Sequence, residues 1–251
     1  MIGIDLSGQV ALVTGASRGI GRAIALALAQ AGADLVLNYR RATAEAESLA
    51  GEIGTLGRRA DLAAADVSQP EAVEALFQVV QDRFGRLDIL VNNAGIVKDQ
   101  LLGGMSLPDW DQVLGVNLRG AFLCTRSAVA LMMPRQSGKI VNLGSVAALR
   151  NSRGQANYAA AKGGLLAFTR ACAVELAPKG IQVNAVVPGM IETDMSARVR
   201  RRAGDQLLQA IPAGRFGLPE EVARVAVFLA SPWSAYLTGQ AIVVDGGMSV
   251  S

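Results

Sequence analysis

The chain of 251 residues contains no histidine. That absence rules out a Ser/His/Asp triad, a histidine proton relay and a histidine-ligated zinc, so any proton chemistry must fall to Tyr, Lys, Asp, Glu or Cys. Cysteine is nearly absent as well. Cys124 and Cys172 lie far apart, in helical-looking segments and without metal-type spacing, so buried free thiols are expected and no metal site. No apolar run approaches the roughly 18 residues of a membrane span, and the start Met1 to Leu6 lacks a signal-peptide pattern, which predicts a cytoplasmic protein without a membrane partner. A net charge of +3, small and dispersed, argues against nucleic acid. No linker, repeat or low-complexity stretch divides the chain, so residues 1–251 are expected to form a single α/β domain.

What is present reads first as a cofactor site. Gln9 to Val13 has the pattern of a buried strand, Thr14 to Gly21 reads TGASRGIG, and Arg22 to Ala31 reads as a helix. Strand, glycine loop and helix are the context of a phosphate cradle, because glycines let the backbone approach a pyrophosphate and the helix N-terminus offers unpaired N–H groups. The spacing Gly15, Gly19, Gly21 is neither GxGxxG nor a P-loop, and Ser17, Arg18 and Ile20 fill the positions between. About 20 residues on, an NAD enzyme would carry an Asp or Glu for the ribose 2′-OH. Here the second strand, Asp34 to Tyr39, ends at Tyr39, Arg40 and Arg41. Guanidinium groups without a carboxylate point to NADP(H), with Arg18 and Arg40 on its 2′-phosphate.

Further strands are expected at Arg59 to Ala65, ending at Asp66 and Val67, and at Leu87 to Val91, running into Asn92 to Gly95. Asp66 can accept from an adenine amino group or cap the next helix. The small residues Asn93, Ala94 and Gly95 suit a backbone lying against the cofactor. Pro108 to Met133 reads as one long helix containing Asn117. Ile181 to Val187 reads as a later strand and leads to Pro188, Gly189, Ile191 and Thr193, at a strand's C-terminal edge where open α/β sheets bind ligands. Ser196 to Pro219, polar and arginine-rich, reads as a mobile lid; Glu220 to Ala230 is the last helix and Gln240 to Asp245 the closing strand.

The chemistry is expected between Asn142 and Lys162. An apolar run ends in Ser145, and thirteen residues later Tyr158 stands four positions before Lys162. Positions i and i+4 share a helix face, so the ammonium would lie near the phenol. A free phenol has a pKa of about 10, and a neighbouring cation lowers it towards a working range for acid or base catalysis. Ser145 at the strand end can donate to a carbonyl oxygen as negative charge builds there.

These segments in this order, Gly15/Gly19/Gly21, Asn92 to Gly95, Asn117, Ser145 and Tyr158/Lys162, resemble a short-chain dehydrogenase/reductase over essentially the whole chain. The resemblance implies a doubly wound Rossmann fold with a seven-stranded parallel sheet, and a homotetramer built through the helices that carry Asn117 and Tyr158. It implies that Asn117 holds a water of the proton relay, and that Tyr158 and Lys162 also touch the cofactor. TGASRGIGRAIA, ILVNNAGIVKDQLL, GQANYAAAKGGL, PGMIETDM and IPAGRFGLPEEVA look most like the 3-oxoacyl-(acyl-carrier-protein) reductases. That narrower likeness implies an acyl thioester substrate on acyl carrier protein. The carrier would meet a basic face beside the active site, to which Arg135 and Lys179 belong and where Gln136 replaces an expected basic residue. Two alternatives stand beside it: a reductase of acetoacetyl-CoA, free small ketones or sugars, and a non-catalytic dinucleotide sensor, for which an intact Ser145, Tyr158 and Lys162 have no use.

Overall fold

The continuous apolar runs become seven parallel strands of one sheet in the order β3-β2-β1-β4-β5-β6-β7. In the computed structural model, which describes residues 3–150 and 152–251, these are β1 (Val10–Val13), β2 (Asp34–Tyr39), β3 (Ala60–Ala64), β4 (Ile89–Asn92), β5 (Gly138–Leu143), β6 (Ile181–Pro188) and β7 (Ala241–Val244). The amino-terminal reading falls partly on residues 1 and 2, outside those described. A parallel strand covered on both faces has no polar side to show, which is why all four residues of β1 and of β4 are buried. Successive side chains point to opposite faces: Val13, Ile89, Val91 and Val141 enter one core, and Leu12, Leu90, Ile140 and Val183 the other.

Among the described residues, eight α-helices accompany the sheet, most of them packed on its two faces. α1 (Gly19–Gln30), α2 (Thr43–Thr55) and α8 (Pro219–Ala230) pack on the first. α3 (Pro70–Phe84), α4 (Leu107–Leu114), α5 (Gly120–Met132) and α6 (Ala156–Leu176) pack on the second, and α7 (Asp194–Gln209) follows β6. The expected long helix over Pro108 to Met133 is continuous but not uniform. Between α4 and α5, Gly115–Arg119 forms a π turn in which the Gly120 N–H donates to the Gly115 carbonyl, and Asn117 sits inside it. Such a widened turn frees a carbonyl from the regular ladder and recurs at functional sites. Most of the stretch read as a lid is covered by the sixteen-residue helix α7.

Strand order reverses between β1 and β4, because one half of the sheet winds outward through β2 and β3 and the other through β5 to β7. Loops leaving β1 and β4 therefore part in opposite directions and open a crevice at the C-terminal ends of the strands.

Candidate functional site

The crevice is lined first by the glycine loop. Gly15 and Gly19 take left-handed backbone at φ +62° and +56°, which side chains other than glycine rarely adopt. A Cβ on Gly21 would stand 2.3 Å from both the Gly15 carbonyl oxygen and Asn93 Nδ2, so the helix can approach the loop only without one. A Cβ on Gly15 would lie 3.0 Å from Ala94 Cα. Asn93 seals the contact, Nδ2 donating to the carbonyls of Thr14 at 2.9 Å and Gly15 at 3.0 Å. No side chain caps α1, whose N-terminus begins inside the loop at Gly19, so its first-turn N–H groups are free for an anion. Ser17 is buried beneath the loop, Ile20 is half-buried, and Arg18 at the N-cap position is exposed. A tight glycine cradle against an uncapped helix end fits a dinucleotide pyrophosphate.

Beside the cradle, β2 and β3 end together. Tyr39 is buried, and Arg40 Nη1 lies 3.3 Å from Asp66 Oδ2. Partial burial pushes the Asp66 carboxyl up, but hydrogen bonds from Ser68 and Arg40 outweigh it and hold the group below its ordinary value. Val67 turns its side chain inward against Gly120, the first residue of α5, where an added Cβ would come within 2.9 Å of it. Arg40 and Asp66, expected to hold different parts of the adenosine, thus neutralise each other here.

The second group converges from three elements. Ser145 follows β5, and its Oγ accepts from the Ala147 N–H at 3.2 Å. Tyr158 lies in the first turn of α6, near enough to Ser145 for that hydroxyl to act on its phenol. One turn on, the buried Lys162 donates from Nζ to the Leu143 carbonyl at 2.6 Å and stands 5.7 Å from the centre of the Tyr158 ring. A Cβ on Gly95 would lie 3.1 Å from Asn117 Oδ1 and 3.8 Å from Lys162 Nζ, which joins the loop after β4 to the same cluster.

The electrostatics correct one expectation. Burial pushes the Tyr158 phenol above its ordinary value; the Ser145 hydrogen bond pulls it down and the Asp99 charge raises it further. Lys162, whose charge was expected to lower the phenol, is itself brought down to about 8 by burial. Desolvation is the largest influence on both groups and favours their neutral forms. Asn117 is also committed differently from a simple water ligand. Its Oδ1 accepts from the Ile96 N–H at 2.8 Å and its Nδ2 donates to the Ile96 carbonyl at 2.9 Å.

The loop after β6 closes the other side. The Gly189 N–H donates to the Val244 carbonyl, Ile191 is buried, and a Cβ on Gly19 would lie 3.3 Å from Thr193 Cγ2, so this loop meets the glycine loop directly. Arg135 does not border the site. It reaches Asp88 at 3.8 Å, beside the two-pronged Arg86–Asp88 pair, just before β4 begins. Lys179 precedes β6, whose Ile181 pairs with Gly138 at the start of β5. Both cations therefore lie at the N-terminal edge of the sheet. The six residues of β5, a rise of about 3.3 Å each, separate them from the chain's own Ser145. The two cysteines are buried free thiols; burial lifts Cys124 to about 12, and burial with the Glu175 charge lifts Cys172 to about 11.

The family profile described as enoyl-(acyl-carrier-protein) reductase matches residues 15–249. A 3-oxoacyl-(acyl-carrier-protein) reductase of Synechocystis is 49% identical over 97% of this chain and 98% of its own length. The chain belongs to the short-chain dehydrogenase/reductase family. The 3-oxoacyl-(acyl-carrier-protein) reductase FabG of Aquifex aeolicus is 44% identical over 98% of this chain and 99% of its own. Among solved structures, a short-chain type dehydrogenase/reductase from Mycobacterium marinum superposes with a TM-score of 0.94 at 36% identity, covering 98% of both chains. A candidate NAD(P)-dependent gluconate 5-dehydrogenase from Beutenbergia cavernae, solved with NADP at low occupancy, gives 0.93 at 38% over 98% of this chain and 99% of the other. As a member of this family, the chain is an oxidoreductase that uses a nicotinamide cofactor.

Within this short-chain dehydrogenase/reductase, the framework roles of four interior positions went unread in the sequence, three of them inside stretches it had singled out. Thr14 Oγ1 accepts from the N–H groups of both Asn93 and Ala94 at 3.0 Å, setting the β4 loop. Buried Asn38 accepts from the Gly15 N–H at 3.2 Å and donates to the carbonyls of Ala63 and Ala65. Asn92 donates to Thr125 and Asn142, and Asn142 to Thr169, linking β4 and β5 to the helices behind the site. For Asn38, Asn92 and Asn142 the signal is an amide inside an otherwise apolar strand run.

Proposed function

We propose that this protein reduces the 3-keto group of an acyl thioester carried on acyl carrier protein to the 3-hydroxyacyl thioester, with NADPH as reductant, in cytoplasmic fatty-acid synthesis. The observation that carries carbonyl reduction is the meeting of two hydroxyls from separate elements, Ser145 and Tyr158, one helical turn from the buried Lys162. Relatives at 44–49% identity, named for 3-oxoacyl reduction, support the thioester. Arg18 and Arg40, with no acidic residue at the end of β2, support NADPH over NADH.

In this reading Gly15, Ser17, Arg18, Gly19, Ile20 and Gly21 hold the pyrophosphate side. Tyr39, Arg40, Asp66 and Val67 surround the adenosine, with Asn93, Ala94 and Gly95 beneath. Pro188, Gly189, Ile191 and Thr193 flank the nicotinamide half, and Tyr158 and Lys162 hold its ribose. When bound, NADPH supplies a hydride to the keto carbon. Ser145 donates a hydrogen bond to the carbonyl oxygen as negative charge gathers there, and Tyr158 gives that oxygen its proton. Lys162 stabilises the phenolate left behind. The side-chain amide of Asn117 is spent on Ile96, so the water that reprotonates Tyr158 falls to the backbone of the π turn.

Residues 1–251 act as one domain, assembled as a homotetramer through the long helices, where Phe122 on α5 and Val174 on α6 expose apolar surface. Among the described residues no helix is long and apolar enough to cross a membrane. The test is NADPH consumption with an acetoacetyl group offered on acyl carrier protein, on CoA and as a free ester. Carrier-linked substrate should win by a wide margin. A second reading, reduction of free ketones or sugars, draws support from the likeness to the gluconate dehydrogenase candidate, and the free ester outpacing the carrier-linked substrate would establish it instead.

A further inference from the structure

Residues 245–251 fold into a small turn that touches three segments of the site. Asp245 organises it, its carboxylate accepting from the N–H groups of Gly247 at 2.8 Å and Ser249 at 2.7 Å. On one side is the loop after β6: a Cβ on Gly189 would lie 2.6 Å from the Asp245 Cβ. On a second side is the segment closing α7, where Gly246 accepts from the Ala213 N–H at 3.0 Å and a Cβ on Gly247 would meet Pro212 at 3.0 Å. On the third is Arg150. Its Nη1 donates to the Met248 carbonyl at 2.6 Å and to Ser251 Oγ at 3.3 Å, and Ser251 Oγ in turn donates to the Ala210 carbonyl at 3.2 Å.

Arg150 is tied closely to Ser145. The Arg150 N–H donates to the Val146 carbonyl at 2.7 Å, the Ala148 N–H to the Ser145 carbonyl at 3.0 Å, and the Ala147 N–H to Ser145 Oγ. A single turn of 3₁₀ helix, Val146–Ala148, thus fixes the guanidinium relative to the hydroxyl. A guanidinium on an exposed loop would ordinarily remain in water. Here it spends one nitrogen on the turn's backbone and side chain, a charge-assisted contact made without an ion pair to any of the described residues.

We propose that Arg150 is a positioning residue: by clamping residues 248–251 it sets the Ser145 loop, the Gly189 loop and the end of α7 as one unit. The donor hydroxyl and the helix beside the site are then placed together. A donor to a developing oxyanion works over a few tenths of an ångström, and a misplacement of about 1 Å costs on the order of a hundredfold in rate. Releasing the clamp therefore reduces turnover more than it reduces cofactor binding. The consequence for turnover rests on the carbonyl-reductase reading; the mechanical link does not.

The test compares the full-length wild type with Arg150→Met, Arg150→Lys, Ser251→Ala, a chain ending at Gly247, and that truncation combined with Arg150→Met. Arg150→Met keeps the apolar stem and removes the donors; it should lower kcat about tenfold and leave the KM for NADPH within about twofold. Arg150→Lys, which keeps one charged donor, should recover most of the loss, and Ser251→Ala should fall between. Truncation should cost as much as Arg150→Met, and the combined variant no more than either, because partners in one interaction are not additive. Amide hydrogen exchange should quicken at residues 146–150 and 245–251 together in Arg150→Met. Wild-type kcat in that variant, multiplying losses, or unchanged exchange would each overturn the proposal. A wild type inactive on every carbonyl compound would instead sink the functional reading, and the exchange measurement would still decide the clamp.

Discussion

The ammonium of Lys162 stands 5.7 Å from the centre of the Tyr158 ring, and both groups are held towards their neutral forms by burial. For Lys162 this is a stability statement. Its folded pKa is about 8 against an ordinary 10.5, so between those values the unfolded chain binds more protons and folding becomes more favourable as pH rises. Below about 8 the cost is present in full, on the order of 3 kcal/mol at about 1.4 kcal/mol per unit. Lys162→Met removes that cost and leaves the Leu143 carbonyl without its donor, a loss of roughly 1–3 kcal/mol. The expected signature is a stability gap between variant and wild type that moves in favour of wild type by a few kcal/mol from pH 8 to pH 10.5. Urea titrations across that range measure it, and a constant gap would mean that Lys162 is not desolvated as described.

Tyr158 gives the corresponding kinetic prediction. Reduction needs the protonated phenol, so its rate should hold through neutral pH and fall as pH rises through the Tyr158 pKa. Alcohol oxidation needs the phenolate and should rise over the same range. The Asp99 charge raises that pKa, and Gln155 holds the Asp99 carboxylate at 3.2 Å. Asp99→Asn should therefore shift both limbs to lower pH, while Asp99→Glu leaves them in place. Tyr158→Phe should lower kcat by roughly 10²–10⁴ with NADPH binding retained, as read by fluorescence of the bound nicotinamide.

Arg40 carries the choice of cofactor. Its pair with Asp66 is long at 3.3 Å, with the two side chains 42% and 31% exposed, so opening it to receive a 2′-phosphate costs about 1 kcal/mol or less. Arg40→Asp should raise the KM for NADPH at least tenfold and improve the use of NADH. The wild-type preference should weaken as salt screens the guanidinium. A wild type that uses both cofactors equally at low salt would show that Arg40 and Arg18 do not read the phosphate.

Much of this arrangement was legible in the chain because parallel strands buried on both faces appear as unbroken apolar runs, and the glycine loop carries its own spacing. Gly21 shows why that spacing holds: backbone and amide atoms 2.3 Å from an added Cβ leave room only for hydrogen. The π turn at Asn117 was not legible, since an i→i+5 turn leaves no periodicity in a helix of mixed apolar and polar residues. Neither was the framework of Asn38, Asn92 and Asn142, whose partners lie 23 to 50 residues away in sequence. Arg135 and Lys179 were misplaced because a helix end and the strand that follows it share an edge of the sheet. In a parallel sheet that is the edge opposite the ligands. Within Ser196 to Pro219 the run Arg198, Arg200, Arg201 and Arg202 lies on α7, the solvated helix that such a run suggests by default.

Asn117 allows the role of the π turn to be separated from that of its side chain. Both polar groups of the amide are committed to the Ile96 peptide, and the residue is almost wholly buried. Asn117→Ala leaves the Ile96 N–H and carbonyl unpaired in the interior. It should cost roughly 2–4 kcal/mol of stability for the two groups and let the loop carrying Gly95 drift away from Lys162. Asn117→Asp keeps an acceptor for the Ile96 N–H but faces its carbonyl with a charge, so it should be at least as destabilising. If the side chain only positions the loop, both variants should lose kcat in proportion to the loosening of residues 94–97 seen by hydrogen exchange, and the pH limb of Tyr158 should stay where it is. A limb that moves with loop exchange unchanged would instead place the Asn117 amide itself in the proton path.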